Sequence, residues 1–323
     1  MNILVLTLFS LPFLAFLLDL LLGDPQRLPH PVRLIGRWLD WLERQARCIG
    51  LPLRAAGTLC VFVTACGVYV LVDFLCGIEY FGMILLLYFA YAGLALGELL
   101  SSARQALRRI EDEERLDEAR EAVGMLVSRS TVDMNAEELR KTLAETVSEN
   151  FCDAFVAPML YLVLGGPALM WAYKAVSTMD SMWGYRTERF RDLGWAAARC
   201  DDALAYVPAR LSAVLLISVG ALMGLNWRQA LERVWADAAT MDSPNAGWPM
   251  AACAWLVQGG MGGPATYFGE VKLKPVLGPK GAPWTLNKLS KLSRLVLFSG
   301  VSGVVLMQLA KVLALGPLSR LFW

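Results

Sequence analysis

Residues 20–36, LLLGDPQRLPHPVRLIG, place side chains that could do chemistry directly after a long apolar segment. Within this stretch lie one aspartate, three prolines, two arginines and the only histidine of the chain. Because proline fixes φ and stiffens the backbone, the segment is predicted to hold Asp24, His30 and Arg33 rigidly at the end of an apolar helix. A site that handles phosphate needs charge that is held in place in this way.

Three further segments combine charged and aromatic side chains with turn-forming residues. They are SENFCDAFVAP (148–158), STMDSMWGYRTERFRDLGWAAARCDDALAYVPAR (177–210) and DSPNAGWPMAA (242–252), and a glycine-rich run from Gly259 to Gly263 follows the last. Taken singly, each also fits an ordinary structural role such as a helix stop, a solvated helix face or a turn.

Taken together, these segments alternate carboxylates with cations near predicted membrane boundaries. The acids are Asp24, Glu149, Asp153, Asp180, Asp201 and Asp202, and the cations are Arg33, Arg129, Lys174, Arg186 and Arg210. Carboxylates are ligands for Mg²⁺, and arginine and lysine bind phosphate oxygens, so the mixture predicts a site that handles phosphate through Mg²⁺. The sequence contains neither GxxxxGK[ST] nor GxGxxG, which argues against a P-loop and a dinucleotide-binding fold.

The composition indicates an integral membrane protein, since 56% of the 323 residues are hydrophobic, 18% are charged and the mean hydropathy is +0.47. A net charge of +1 gives no indication of a nucleic-acid partner. Apolar segments that approach the roughly 20 residues of a membrane span lie at 2–22, 55–77, 80–97 and 292–316, with weaker ones at 155–176, 210–226 and 248–265. The predicted class is therefore an all-α polytopic membrane protein.

The chain is predicted to be one membrane-embedded domain, 1–323, because it shows no repeat, low-complexity tract or linker. The first apolar segment lacks a basic leader and a small-residue cleavage site, so it is predicted to be an anchor. The seven cysteines form no CxxC pair and are interpreted mainly as small buried hydrophobes.

The distribution of arginine predicts the orientation in the cytoplasmic membrane. Segment 23–54 is rich in arginine and is expected on the cytoplasmic side, as are the polar regions 98–154 and 177–209. A complete crossing by 155–176 would place the arginines of 177–209 outside. Gly165-Gly166-Pro167 at its centre favours a broken, re-entrant segment instead. The topology after residue 155 and the helix count stay open.

Two helical stretches are predicted between residues 97 and 155. Segment 97–129 favours a charged, solvated helix, and Asn135 followed by Glu138 fits an N-cap with a capping box. An apolar stripe follows at Leu139, Leu143, Val147 and Phe151, while Glu145, Glu149 and Asp153 recur on a different face. Asn150 lies at the edge of the stripe, where a buried amide needs a partner.

The four blocks GDPQRLPHPVRLIG, AETVSENFCDAFVAP, STMDSMWGYRTERFRDLGWAAARCDDALAYVPAR and SPNAGWPMAA resemble, in order, the characteristic blocks of the adenosylcobinamide-phosphate synthase family of cobalamin biosynthesis. The resemblance implies a membrane amide ligase that joins adenosylcobyric acid, a corrinoid, to aminopropanol or its phosphate, driven by ATP and Mg²⁺. Because an unactivated carboxylate is a poor acyl donor, an acyl-phosphate intermediate is our hypothesis. The implied partners are these substrates, the lipid bilayer and other membrane enzymes of late cobalamin assembly.

Residue chemistry then suggests roles within these blocks. The catalytic candidates are Asp24, His30, Glu149, Asn150, Asp153, Asp180, Asp201 and Asp202, with Glu149 or His30 taking the proton from the attacking amine. The last four aspartates are also the candidate Mg²⁺ ligands. The candidate substrate-binding residues are Arg33, Arg129, Lys174, Ser181, Trp183, Tyr185, Arg186, Arg210, Ser243, Asn245 and Gly247. Of these, Trp183 and Tyr185 are expected to stack on a flat ligand.

Several positions depart from the family pattern. Ser177 and Ala205 stand where the family has asparagine, Ser130 stands where it has aspartate, and Asp242 is more acidic than usual. These changes bear on substrate preference, and the sequence leaves open aminopropanol, its phosphate or ethanolamine phosphate as the acceptor, and the oligomeric state. The alternatives to an enzyme are a non-enzymatic membrane sensor of related architecture and, more remotely, a transporter.

Overall fold

In this computed structural model the protein is described over residues 3–24, 30–267 and 270–319. Two of the three prolines of the opening stretch, Pro25 and Pro29, lie outside the described residues, as does Arg27. The helices are α1 (Ile3–Leu22), α2 (Pro31–Cys48), α3 (Leu53–Cys76), α4 (Gly82–Ala92), α5 (Leu96–Ile110), α6 (Leu116–Gly124), α7 (Ala136–Phe151), α8 (Ala157–Trp183), α9 (Trp195–Leu204), α10 (Tyr206–Leu222), α11 (Trp227–Ala238), α12 (Gly247–Val257) and α13 (Leu286–Ser319). Strands β1 (Met261–Tyr267) and β2 (Glu270–Leu277) form an antiparallel hairpin.

The predicted class of a multi-pass helical membrane protein is confirmed. Within the described residues, four helical stretches are long and apolar enough to cross a bilayer, namely Leu53–Cys76, Gly82–Ile110, Ala136–Trp183 and Leu286–Leu313. The bent pair α9–α10 adds a fifth if it is one span. The described side chains of α1, Leu11–Leu22, form a shorter apolar helix, so the span at 2–22 stays a prediction.

The break predicted in α8 is confirmed. Gly165 and Gly166 have non-helical backbone angles, and φ of Gly166 is +71°, a conformation that favours glycine. Pro167 has no N–H, so the carbonyl of Val163 has no helical donor. The Nζ of Lys311 on α13 donates to that carbonyl at 2.5 Å. The break is therefore stabilised from within the protein, and whether the segment is re-entrant stays a prediction.

Two segments differ from the expected helices. The charged helix expected over 97–129 is divided, because a 3₁₀ turn, Glu113–Arg115, separates α5 from α6. The weak apolar segment 248–265 is not one helix: α12 ends at Val257, where Gln258 has φ of +61°, and β1 begins at Met261. Glycines at 259, 260, 262 and 263 disfavour helix here.

The chain divides into two compact units. Unit 1 comprises residues 1–95, 157–205 and 304–323, and unit 2 comprises 96–156 and 206–303. Whether they behave as one domain, as the sequence predicts, stays a prediction.

Unit 1 is built around α3 and α8. Gly57 on α3 allows a close approach, since a Cβ there would lie 2.0 Å from the carbonyl oxygen of Leu193. Side-chain contacts hold the loop 184–194 against α2 and α3. Glu43 on α2 accepts two hydrogen bonds of 2.8 Å from Arg189, and Arg54 on α3 donates to Asp192 at 2.9 Å. These hydrogen bonds from Arg189, with a further one from Arg47, lower the pKa of the buried Glu43 carboxyl against the opposing effect of burial.

Unit 2 is built around α7. The predicted stripe Leu139, Leu143, Val147 and Phe151 is at most 1% exposed, and the predicted capping box of Asn135 and Glu138 is present. Helix α11 packs on α12, where Gly247 is required because a Cβ would lie 2.8 Å from Ala238.

Candidate functional site

His30 lies at the start of α2, in unit 1, and both of its ring nitrogens are engaged. Its Nδ1 accepts a hydrogen bond from the backbone N–H of Val32 at 3.3 Å, which caps the helix. Its Nε2 lies 3.0 Å from Oδ1 of Asp24. The two candidates Asp24 and His30 are therefore brought together.

Burial lowers the pKa of His30. Asp24 opposes this effect, whereas the cations Lys174 and Arg33 reinforce it. The imidazole is thus neutral near pH 7, with its proton on Nε2 toward Asp24. Because both nitrogens are engaged, neither is free to accept a proton in this arrangement. The choice between Glu149 and His30 as the base stays a prediction.

Beside the start of α2 lies a small pocket of about 190 Å³, lined by Val32, Lys174, Ser177, Thr178 and Ser181. The hydroxyl of Thr178 donates to the Lys174 carbonyl at 2.7 Å, and that of Ser181 donates to the Ser177 carbonyl at 2.9 Å. Because each hydroxyl proton is donated to a carbonyl of the same helix, both hydroxyl oxygens can still accept hydrogen bonds from a ligand. The pocket therefore combines a cation with acceptor oxygens.

A pair of carboxylates lies at the end of α8 and on α9. Asp202 acts electrostatically on Asp180, and Arg199 and Arg186 act on Asp202. Asp201, its neighbour in sequence, acts on the hydroxyl of Tyr161 instead. Of the four predicted Mg²⁺ ligands, the structure of unit 1 thus associates Asp180 with Asp202, while Asp153 belongs to unit 2.

The described residues contain no group of three or more His, Cys, Asp or Glu side chains that could hold a metal ion. Mg²⁺ is nevertheless often held by one or two carboxylates together with substrate phosphates, and hard carboxylate oxygens suit it. By their chemistry Asp180 and Asp202 suit that requirement, and Asp202 is the charge that acts on Asp180. The larger predicted set stays a prediction.

The two predicted stacking residues lie in different surroundings. Trp183 is 1% exposed, so it is a core residue, which corrects the expectation that its ring stacks on a ligand. Tyr185 is 36% exposed. Arg186 follows it in the loop that Arg189 and Asp192 fasten to α2 and α3.

Arg210 and Asn245, both predicted site residues, meet in unit 2. The guanidinium of Arg210 donates to Oδ1 of Asn245 at 3.2 Å and to the carbonyl of Tyr206 at 2.7 Å. It also lies over the rings of Tyr206 and Trp248, at 3.3 and 4.7 Å from their centroids. Several N–H groups of the Arg210 guanidinium are therefore engaged within the protein, and its contact with Asn245 stabilises the turn before α12.

The same turn is closed by Ser243. Its hydroxyl oxygen accepts from the backbone N–H groups of Asn245 and Ala246 at 3.3 and 3.4 Å. The candidate substrate-binding residues Ser243, Asn245 and Gly247 thus lie in a compact turn that leads into α12, and its ligand stays a prediction.

A second polar cluster in unit 2 joins α7 to the hairpin. Glu145, fully buried, pairs with Arg129 and accepts the backbone N–H of Gly262 at 2.7 Å. One turn before it, Lys141 donates to the Gly262 carbonyl at 2.9 Å. Sequence reasoning found Arg129 but not the roles of Glu145 and Gly262. Two sequence features pointed to these residues. Glu145 belongs to the acids that recur every fourth residue, and Gly262 belongs to the glycine-rich run from Gly259 to Gly263.

Glu149 lies one turn after Glu145 on α7. Among the described residues its carboxyl forms neither an ion pair nor a hydrogen bond. Lys274 on β2 exerts the largest electrostatic effect on this carboxyl, ahead of Glu145 and Arg129. The side-chain amide of Asn150 donates to the Thr146 carbonyl at 3.0 Å, which gives it one partner within α7. Asp153 lies in the π-helical turn Cys152–Val156.

The fold and these clusters define a multi-pass helical membrane protein with polar sites in both units. The sequence profile of the CobD/Cbib protein family matches residues 12–296, so the chain belongs to this family.

Relatives at similar identity cover most of the chain. It is 41% identical to the cobalamin biosynthesis protein CobD of Pelobacter propionicus, over 82% of this chain and 83% of that protein. It is 34% identical to CobD of Photorhabdus laumondii, over 94% and 98%. It is 38% identical to the cobalamin biosynthesis protein CbiB of Salmonella paratyphi A, over 88% and 91%. No solved structure matches the chain.

Proposed function

We propose that this protein is an ATP-dependent amide ligase that joins adenosylcobyric acid to aminopropanol phosphate in cobalamin biosynthesis. The relatives named above are cobalamin biosynthesis proteins, which supports the pathway. The observation that carries the proposal further is the small pocket of Val32, Lys174, Ser177, Thr178 and Ser181.

The size of this pocket favours a small substrate. At about 190 Å³ it lies below the roughly 300–1,000 Å³ typical of drug-sized ligands. It is too small for a corrinoid or for a whole nucleotide. An amino alcohol or its phosphate matches it in size.

The chemistry of the pocket favours the phosphorylated amino alcohol. The Lys174 ammonium suits phosphate oxygens, and Arg33 adds positive charge nearby. The hydroxyl oxygens of Thr178 and Ser181 suit the N–H groups of an amine. Ser177 stands where the family has asparagine, so this departure falls on the pocket itself and bears on acceptor preference.

The reaction we propose has two steps. The corrinoid carboxylate takes the terminal phosphoryl group of ATP, releasing ADP, and becomes an acyl phosphate. The amine of the acceptor then attacks the acyl carbon, phosphate leaves, and an amide remains. Phosphorylation is needed because oxide is a poor leaving group, whereas phosphate is a good one.

Mg²⁺, when bound, would neutralise charge on the phosphate oxygens. Asp180 and Asp202 are the residues of unit 1 that would hold it. The neutral His30 would keep Asp24 in place and cap α2 beside Lys174. The base that takes the proton from the attacking amine stays Glu149 or His30, as predicted. By the arginine distribution, we place the polar regions on the cytoplasmic side of the cytoplasmic membrane.

The test uses the full chain in nanodiscs with adenosylcobyric acid, Mg·ATP and one of three acceptors: aminopropanol, its phosphate or ethanolamine phosphate. Mass spectrometry of the corrinoid should show a product heavier by the amine less water, formed only with ATP. Omission of ATP is the matched control. Binding of the corrinoid without condensation to any acceptor would refute the ligase and favour the sensor.

A further inference from the structure

The β1–β2 hairpin carries two lysines on one face. Lys272 and Lys274 are two residues apart on β2, so their side chains leave the same side of the strand. Their Nζ atoms lie 5.9 and 5.2 Å from the ring centroid of Tyr267 on β1. Two ammonium groups are thus gathered at a single aromatic ring.

These two charges are not neutralised by direct pairing. Neither lysine forms an ion pair with a carboxylate in the part of the chain that the structure describes. Arg129, the nearby guanidinium, is already paired with Glu145. Like charges held close together repel each other, and a cation–π contact offsets little of that at an exposed site.

The hairpin is also held in place. In β1, Gly262 is bound on both its N–H and its carbonyl, by Glu145 and Lys141, and the Thr266 carbonyl accepts from Ser130 N–H at 2.9 Å. After β2, Gly278 N–H donates to Asp237 at 2.7 Å. At Gly262, φ is +84° and a Cβ would lie 1.9 Å from the Pro275 carbonyl oxygen, so the bulge there requires glycine.

We propose that Lys272, Lys274 and Tyr267 form a binding face for phosphate groups, of the class found in a polyphosphate chain. Lysine binds phosphate as a point charge, and a rigid element that presents two such charges is preorganised for an anion with several phosphates. Lys274 is also the main charge acting on Glu149, so an anion bound here would alter the field at that carboxylate. The inference deepens the proposed function, on which it rests for the identity of the natural ligand.

The probe is sodium tripolyphosphate, titrated into the full chain in nanodiscs of neutral phosphatidylcholine without corrinoid or acceptor. We expect saturable binding that weakens with added salt. Lys272→Gln and Lys274→Gln should each weaken it about 10-fold, as expected for loss of one hydrogen bond to a charged group. Lys274→Arg should bind nearly as the wild type does.

The matched control is Lys280→Gln, because Lys280 is an exposed lysine in the turn after β2. It should bind as the wild type does. Thermal unfolding of each variant checks that the fold is intact, which is expected because Lys272 is also exposed.

A second arm uses nanodiscs that contain anionic phosphatidylglycerol. If a lipid headgroup is the source of the phosphate, the anionic discs should compete with tripolyphosphate in the wild type and not in the double variant that combines Lys272→Gln with Lys274→Gln. If a soluble polyphosphate is the source, binding should be alike in both discs. Equal binding by the double variant and the wild type in every arm would overturn the proposal. Because no condensation is measured, failure of the ligase reaction would leave this result unaffected.

Discussion

In unit 1 the polar groups lie around a small pocket, and in unit 2 they lie along a helix and a hairpin. Asp24 follows the end of α1, His30 lies at the start of α2, and Lys174 lies in the second half of the broken helix α8. Their charges offset each other, and the imidazole is neutral. In unit 2, buried Glu145 holds the hairpin in place, while Lys272 and Lys274 on its face have no directly paired acid among the described residues. The comparison teaches that unit 1 is suited to enclosing a small molecule, and unit 2 to attracting a larger anion.

The largest effect is expected from Glu145→Gln. This change leaves Arg129, which is 7% exposed, without its counter-charge. Breaking a buried ion pair costs about 3–5 kcal/mol of the free energy of unfolding. Thermal unfolding in nanodiscs should show a large fall in Tm, and hydrogen exchange should rise around Gly262. The matched control Glu137→Gln, exposed on the same helix, should change little. A Tm equal to that of the wild type would show that the pair does not hold the hairpin.

Next in size is the loss of a carboxylate from unit 1. Asp180→Asn or Asp202→Asn should lower kcat about 10²–10³-fold, the usual cost of removing one preorganised electrostatic contact. Turnover at saturating Mg·ATP measures it. The control Asp192→Asn removes a carboxylate whose partner, Arg54, is exposed. Unchanged turnover in both site variants would exclude this pair from phosphate chemistry.

Lys174→Met tests whether the pocket of unit 1 distinguishes a phosphorylated acceptor from a free amino alcohol. Hydrogen bonds to charged groups contribute about 1.5–3 kcal/mol, so KM for a phosphorylated acceptor should rise about 10–100-fold. KM for free aminopropanol should change much less. Lys291→Met, an exposed lysine on α13, serves as the control. An equal loss for both acceptors would contradict a phosphate-binding role of Lys174.

The smallest effect concerns pH. Because the pKa of His30 is lowered in the folded protein, the unfolded chain binds more protons around and below pH 6.5, the ordinary value. Stability should therefore fall as the pH drops from about 7 to about 5.5. His30 is the only histidine, so His30→Gln should flatten this part of the profile of Tm against pH. An unchanged slope would show that His30 is not held neutral.

Features set by local sequence were predicted well. The capping box at Asn135 depends on residues three apart, and the break at Gly165-Gly166-Pro167 depends on backbone limits that glycine and proline impose anywhere. The helical membrane class was also predicted from local sequence, because the length of an apolar segment shows whether it can cross a bilayer.

Features set by distant contacts were missed. Strand β1, MGGPATY, shows no clear alternation of apolar and polar residues, and it is held through Glu145 and Ser130 from far along the chain. The sequence could not show that Trp183 is buried, or that Arg210 is committed to Asn245. Tertiary packing decides each of these.

The central claim is ligation through an acyl phosphate, and an isotope experiment tests it most directly. Adenosylcobyric acid labelled with ¹⁸O in the reacting carboxylate would be converted with Mg·ATP and aminopropanol phosphate, and the released phosphate would be analysed by mass spectrometry. We predict that one ¹⁸O atom passes to inorganic phosphate for each amide formed. Amide formation with no label in phosphate, or with the label in AMP, would contradict the acyl phosphate.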